Sequence, residues 1–290
     1  MGIGLTFEPG KDTRQAQAVE LAKRYDVALV FAGYPDAFET EGTDRSSIEL
    51  MGKQNELITA VAAANPRSVV VLNVGAPVSM PWVDQVAAVI QAYYPGMENG
   101  NAVTDVLLGK VNPSGKLPVT FPVRLEDSPA FINAPYPGSQ EVNYGEGIFV
   151  GYRYYDKKDV TPLFPFGHGL SYTTFSYSEL KAPRKVKAGQ KFEVSLKVGN
   201  TGKVAGKEVI QLYVSDLVSS LPRPPKELKG FTKVDLKPGD SKTVTFTLDE
   251  RSLAFYDPQK KDWVTEPGEF ELLVGSSSRD IRLNANFRLE

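Results

Sequence analysis

The chain has 290 residues, 41% hydrophobic and 23% charged, with 33 basic against 35 acidic side chains for a formal net charge of -2. That is room for about two ordinary globular domains, and the near-neutral balance excludes a dedicated nucleic-acid binder, which carries a basic excess. No apolar run approaches the roughly 20 residues that span a bilayer. The opening residues lack the basic and long apolar regions of a signal peptide. The absence of cysteine excludes a disulfide framework, thiolate catalysis and Cys-ligated metal. The composition reads as a soluble protein whose compartment it does not assign.

Taken in order, the chain opens with a helix capped by Asp12 and running to about Tyr25, its apolar stripe made by Ala16, Val19, Leu21 and Ala22. The apolar run Asp26–Gly33 follows and reads as a strand buried on both faces. Past its carboxyl end lies an acidic, turn-forming stretch, Phe38–Leu50, which holds Glu39, Glu41, Gly42, Asp44 and Arg45. Ligands of open α/β sheets bind at that rim. The stretch therefore has two readings: a solvated acidic loop, or a carboxylate held as a proton donor beside an arginine.

Gln54–Ala64 has Leu57, Ile58, Val61 and Ala62 on one helical face, and Asn65-Pro66 stops it. Ser68–Val74 is the next buried strand, a short helix falls near Trp82 and Val83, Ala87–Ala92 is a third strand, and Asn101–Leu108 a third helix. This alternation predicts a doubly wound sheet with helices on both faces. From Lys110 the texture turns Pro- and Gly-rich, and residues 123–147 form a long polar segment of the kind that is functional or wraps a neighbour. Ile148–Tyr155 is strongly aromatic. It reads either as a β segment packing its rings inward, or as a place where Tyr152, Arg153 or Tyr154 flanks a sugar. The single histidine, His168, sits in a Gly/Pro/aromatic linker and reads as a packing or hydrogen-bonding residue. If the chain is an enzyme, carboxylates carry its acid/base chemistry. From Thr173 onward, short alternating strands separated by turns predict an antiparallel sandwich. The fold class is thus α/β followed by all-β, with domains at 1–172 and 173–290.

Several strings carry a resemblance across nearly the whole chain. They are Glu-Gly-Thr-Asp-Arg (41–45), Gly-Ala-Pro-Val (75–78), Tyr-Pro-Gly-Met-Glu-Asn-Gly (94–100), Gly-Lys-Val-Asn-Pro-Ser-Gly-Lys-Leu-Pro-Val-Thr-Phe-Pro (109–122), Gly-Tyr-Arg-Tyr-Tyr (151–155) and Phe-Pro-Phe-Gly-His-Gly-Leu-Ser-Tyr-Thr (164–173). Together they resemble glycoside hydrolase family 3, the β-glucosidase family. Residues 12–170 look like its α/β-sandwich domain, incomplete at its start, and residues 173–290 like its fibronectin type III-like domain. The resemblance implies retaining hydrolysis of a β-glucoside or oligosaccharide by an aspartate nucleophile and a glutamate acid/base. Position by position, Glu41 takes the acid/base role, Glu39 is its competitor, and Asp44 with Arg45 braces the loop. The family's nucleophile lies on a (β/α)₈ barrel that these residues do not contain. The implied partners are therefore the substrate and either the barrel half or a second copy pairing along an open sheet edge. No cofactor, metal, nucleic acid or membrane is implied. No Gly-x-Gly-x-x-Gly or Gly-x-x-x-x-Gly-Lys-Ser/Thr follows a strand, which excludes the common nucleotide-binding loops.

Overall fold

The computed structural model describes residues 14–35, 38–42, 45–133 and 141–290. These fall into two compact units: residues up to 104 with 122–125, and residues 105–121 with those from 126 onward.

The first unit runs α1 (Arg14–Ala22), β1 (Ala28–Gly33), α2 (Gln54–Ala64), β2 (Ser68–Asn73), a 3₁₀ turn at Val83–Gln85, β3 (Ala88–Gln91), a second 3₁₀ turn at Gly96–Glu98, and α3 (Asn99–Leu107). The three strands form a parallel sheet in chain order, with Ala28 opposite Ser68 and Val69 opposite Ala88. Strand β2 is central, and Val70, Val71 and Leu72 are fully buried. Helix α2 buries Ile58, Val61 and Ala62. Asn65 ends it as the sequence predicts and also ties its end to α1, since Asn65 Nδ2 donates to Ala22 O (3.0 Å) and Tyr25 O (2.9 Å). Helix α1 stops at Ala22 rather than Tyr25, and its expected cap, Asp12, lies outside the described residues.

One expectation is corrected. The run ending at Gly33 is not buried on both faces: Leu29 is 48% and Phe31 63% exposed. Among the described residues β1 lies at the edge of the sheet with β2 as its one neighbour, and an apolar run fixes the strand without fixing how many of its faces are covered. The end of this edge is closed by Gln54, whose Oε1 accepts from Gly33 N (2.9 Å) while its Nε2 donates to Gly33 O (2.9 Å). Gly33 must be glycine, because a Cβ there would sit 2.3 Å from the Asn73 carbonyl oxygen. Gly33→Ala is expected to destabilise the protein by about 3 kcal/mol, the upper end for overpacking against backbone. An unchanged urea midpoint would show that the strand end can shift freely.

The second unit is built on an antiparallel sandwich. Its strands are β4 (Phe175–Lys181), β5 (Lys185–Val186), β6 (Phe192–Asn200), β7 (Gly206–Asp216), β8 (Glu227–Leu236) and β9 (Ser241–Leu248). After the short α5 (Glu250–Leu253) come β10 (Phe255–Asp257), β11 (Asp262–Val264), β12 (Gly268–Gly275) and β13 (Ile281–Leu289). One sheet has the order β5-β13-β12-β7-β8, the other β4-β6-β9, and β10-β11 is a separate hairpin. Period-2 alternation sends Val194, Leu196 and Val198 of β6 inward to meet Ile210, Leu212, Phe270, Leu272 and Phe287 in one core.

Among the described residues, the segments around 112–116 and 152–169 pack onto this sandwich rather than forming a free linker. Asn112 Nδ2 donates to Ala205 O (2.9 Å), and Gln211 Nε2 donates to Gly167 O (3.3 Å) and Ser276 O (2.7 Å). Lys116 Nζ lies 3.4 Å from Glu208 Oε1 and donates to Gly169 O (2.7 Å). The aromatic segment expected as β is instead α4 (Tyr152–Lys158), entered through Gly151 at φ 56° and closed by Asp159 in the left-handed region. Both ends are set by positive-φ residues, and the helix is held by β8 and by Arg279 rather than by its own propensity.

His168 stacks on Phe164 with ring centroids 5.1 Å apart, in agreement with a packing role. Burial pushes its imidazole below the ordinary 6.5, the nearby Lys116 adds to this, and Asp280 opposes it. The unfolded chain therefore takes up this proton first as pH falls. The neutral imidazole's contribution to stability is present above about pH 6.5 and is lost below it. Between pH 7 and 5.5, unfolding midpoints are expected to fall less in His168→Gln than in the wild type.

Candidate active-site loop

The acidic loop leaves the carboxyl end of β1. Tyr34 comes first, stacked on Phe38 at 4.7 Å, with its hydroxyl donating to Glu49 O (2.6 Å). Burial pushes that hydroxyl up to about 12; Arg45 lowers it, whereas Glu39 and Glu49 raise it. Arg45 lies over the Tyr34 ring, 5.2 Å from its centroid. Its guanidinium reaches Glu39 Oε1 at 3.4 Å and Pro77 O at 3.5 Å. The other Glu39 oxygen, Oε2, accepts the Gly75 N–H at 2.8 Å. A Cβ at Gly75 would stand 2.8 Å from Tyr94 Cε2 and 3.3 Å from Glu39 Oε2, so the close approach uses the missing side chain.

The two candidate carboxylates thus differ in kind. Glu39 is turned into the protein, 15% exposed, with both oxygens engaged. Glu41 is exposed, and its carboxyl has no hydrogen-bond or ion-pair partner among the described residues. The expected brace between Arg45 and Asp44 falls partly outside the described residues, since Asp44 is not among them. The partner Arg45 does have is Glu39. Sequence reasoning missed Tyr34 and Gln54, which fix the two ends of the loop. The glycine of Gly-Ala-Pro-Val was visible as a motif but not as the donor to Glu39.

Tyr152, Arg153 and Tyr154 belong to the second unit. The Tyr152 hydroxyl accepts the Leu228 N–H (2.8 Å), and its ring stacks on Phe166 at 5.0 Å. Arg153 pairs with Glu227 at 3.2 Å, and Tyr154 meets Tyr155 edge-on at 5.8 Å. Among the described residues no three His, Cys, Asp or Glu side chains gather as a metal site. No described helix is long and apolar enough to cross a membrane.

Residues 4–172 match the family model described as the glycosyl hydrolase family 3 C-terminal domain, and residues 208–278 match a fibronectin type III-like domain. The chain belongs to glycosyl hydrolase family 3. Its fold is that family's α/β sandwich domain followed by a fibronectin type III-like domain. Among its relatives, the family 3 chain is 54% identical to thermostable beta-glucosidase B of Acetivibrio thermocellus over 275 residues, 94% of this chain and 36% of that protein. The crystal structure of the Bifidobacterium adolescentis GH3 beta-glucosidase superposes with a TM-score of 0.93 at 45% identity, over 99% of this chain and 42% of that one. The beta-glucosidase from Kluyveromyces marxianus in complex with glucose gives a TM-score of 0.91 at 44% identity, over 98% of this chain and 34% of that one. The family 3 chain therefore spans about a third of the curated relatives' length.

Proposed function

We propose that this chain supplies the general acid/base, Glu41, for retaining hydrolysis of β-glucosidic bonds. The observation that carries the reading is the contrast within one loop: Glu39 is committed to Gly75 and Arg45, while the Glu41 carboxyl is exposed past the end of β1. Relatives named as beta-glucosidases, and the glucose held by the Kluyveromyces marxianus protein, support the substrate class. In the proposed reaction an aspartate nucleophile attacks the anomeric carbon while Glu41 gives its proton to the departing glycosidic oxygen. Glu41 then takes a proton from the water that releases the sugar. The nucleophile is provided by the remainder of a family 3 polypeptide, which this chain engages as a partner.

The test is hydrolysis of an aryl β-glucoside by the purified chain, alone and mixed with the remaining part of a family 3 β-glucosidase, beside Glu41→Gln and Glu39→Gln. Turnover that appears in the mixture and disappears only with Glu41→Gln supports the assignment. Turnover that survives Glu41→Gln rejects it. A catalytically silent structural or carbohydrate-contacting module is the second reading. It predicts that the mixture gains nothing from this chain.

A further inference from the structure

We infer that Glu39 is a positioning residue, which clasps the acidic loop to the turn after β2 and so fixes where Glu41 is presented. This rests on the reading of Glu41 as the acid/base. One Glu39 oxygen holds the Gly75 N–H, thirty-six residues away in sequence, and the other holds Arg45 on the far side of the loop's turn. Arg45 extends the tie to Pro77 O and rests on Tyr34, itself fixed to Glu49 O. The segments 38–42, 45–49 and 75–77 therefore converge on one carboxylate. Glu41 has no such tie of its own among the described residues, so its place depends on the clasp two residues before it. A proton donor must be held within a fraction of an ångström of its productive geometry, and a displacement of about 1 Å costs roughly 10²-fold in rate.

The two carboxylates then fail in different ways. Glu39→Ala removes both ties and is expected to lower kcat by roughly 10²-fold with KM little changed. The loss should be the same for good and poor leaving groups. Glu39→Gln keeps an oxygen for the Gly75 N–H and loses only the charge facing Arg45, so it should restore much of kcat. Azide, which rescues enzymes that lack their acid/base, should do nothing for Glu39→Ala.

Amide hydrogen exchange on the chain as it stands decides the clasp without turnover. In Glu39→Ala, exchange at Gly75 and across 45–50 should rise at least about 10-fold as a local opening, while Val70–Leu72 stay protected; Glu41→Ala should leave both unchanged. Unchanged exchange at Gly75 in Glu39→Ala overturns the inference. So does azide rescue of Glu39→Ala, which would make Glu39 the acid/base itself. If Gly75 opens as expected but Glu41→Gln turns over like the wild type, the clasp is real, and it is the assignment of Glu41, with the positioning role built on it, that falls.

Discussion

Glu41→Gln, assayed where the nucleophile is present, is expected to lower kcat by roughly 10²–10⁴-fold for an aryl β-glucoside with a poor leaving group. With an activated leaving group that needs no proton, the first step should survive and the second, water-dependent step should become limiting. The glycosyl–enzyme then accumulates, so kcat and KM fall together and a burst of phenol appears before the steady state. Added azide should restore turnover, because the anion attacks the anomeric carbon without giving up a proton and the nucleophile carboxylate departs. The product is β-glucosyl azide, identifiable by mass. The isosteric amide adds no volume to an exposed side chain, so unfolding should be unchanged. A uniform loss across leaving groups, with no azide rescue, would place the proton donor elsewhere.

Asp156→Ala is expected to cost about 3–5 kcal/mol of stability, the range for breaking a buried ion pair from one side. Asp156 lies on α4 with its side chain 5% exposed, and it accepts from Lys226 on one oxygen and from Arg279 Nε at 2.9 Å on the other. Lys226, 12% exposed, is the costlier orphan, because Arg279, 35% exposed, can turn toward water. Arg279 also donates to Tyr155 O and Val160 O, so its release loosens the end of the helix as well. Urea unfolding measures the loss. Asp156→Asn, which keeps the shape and one acceptor, should fall between. A loss under about 1 kcal/mol would mean that α4 detaches without weakening the sandwich.

The sequence made the local parts of this molecule legible. Helix α2 showed its apolar face and its Asn65 stop, and β2 and β6 showed their runs because each is decided by residues close together in the chain. The acidic loop was legible as a string for the same reason. What escaped depends on residues far apart. Whether β1 is central or at an edge is a property of its neighbours, not of its own residues. Helix α4 is short and aromatic, and it owes its shape to Gly151, Asp159 and the sandwich groups that hold Tyr152, Arg153 and Asp156. The difference in bonding between Glu39 and Glu41 depends on the Gly75 N–H, which no spacing within the loop reveals.

The packing of the segments around 112–116 and 152–169 against the sandwich bears on how this protein can be inherited. By its family match the α/β domain ends at residue 172, yet Glu208, Gln211, Lys226, Leu228 and Arg279 all find partners before that point. A gene fusion that carried off residues 173–290 alone would remove the partners of all five, including those of the buried Glu208 and Gln211. The fibronectin-like portion is thus not a bead that recombination can move freely. It has to travel with the strap that precedes it, which couples the ancestry of the two domains more tightly than their separate architectures suggest.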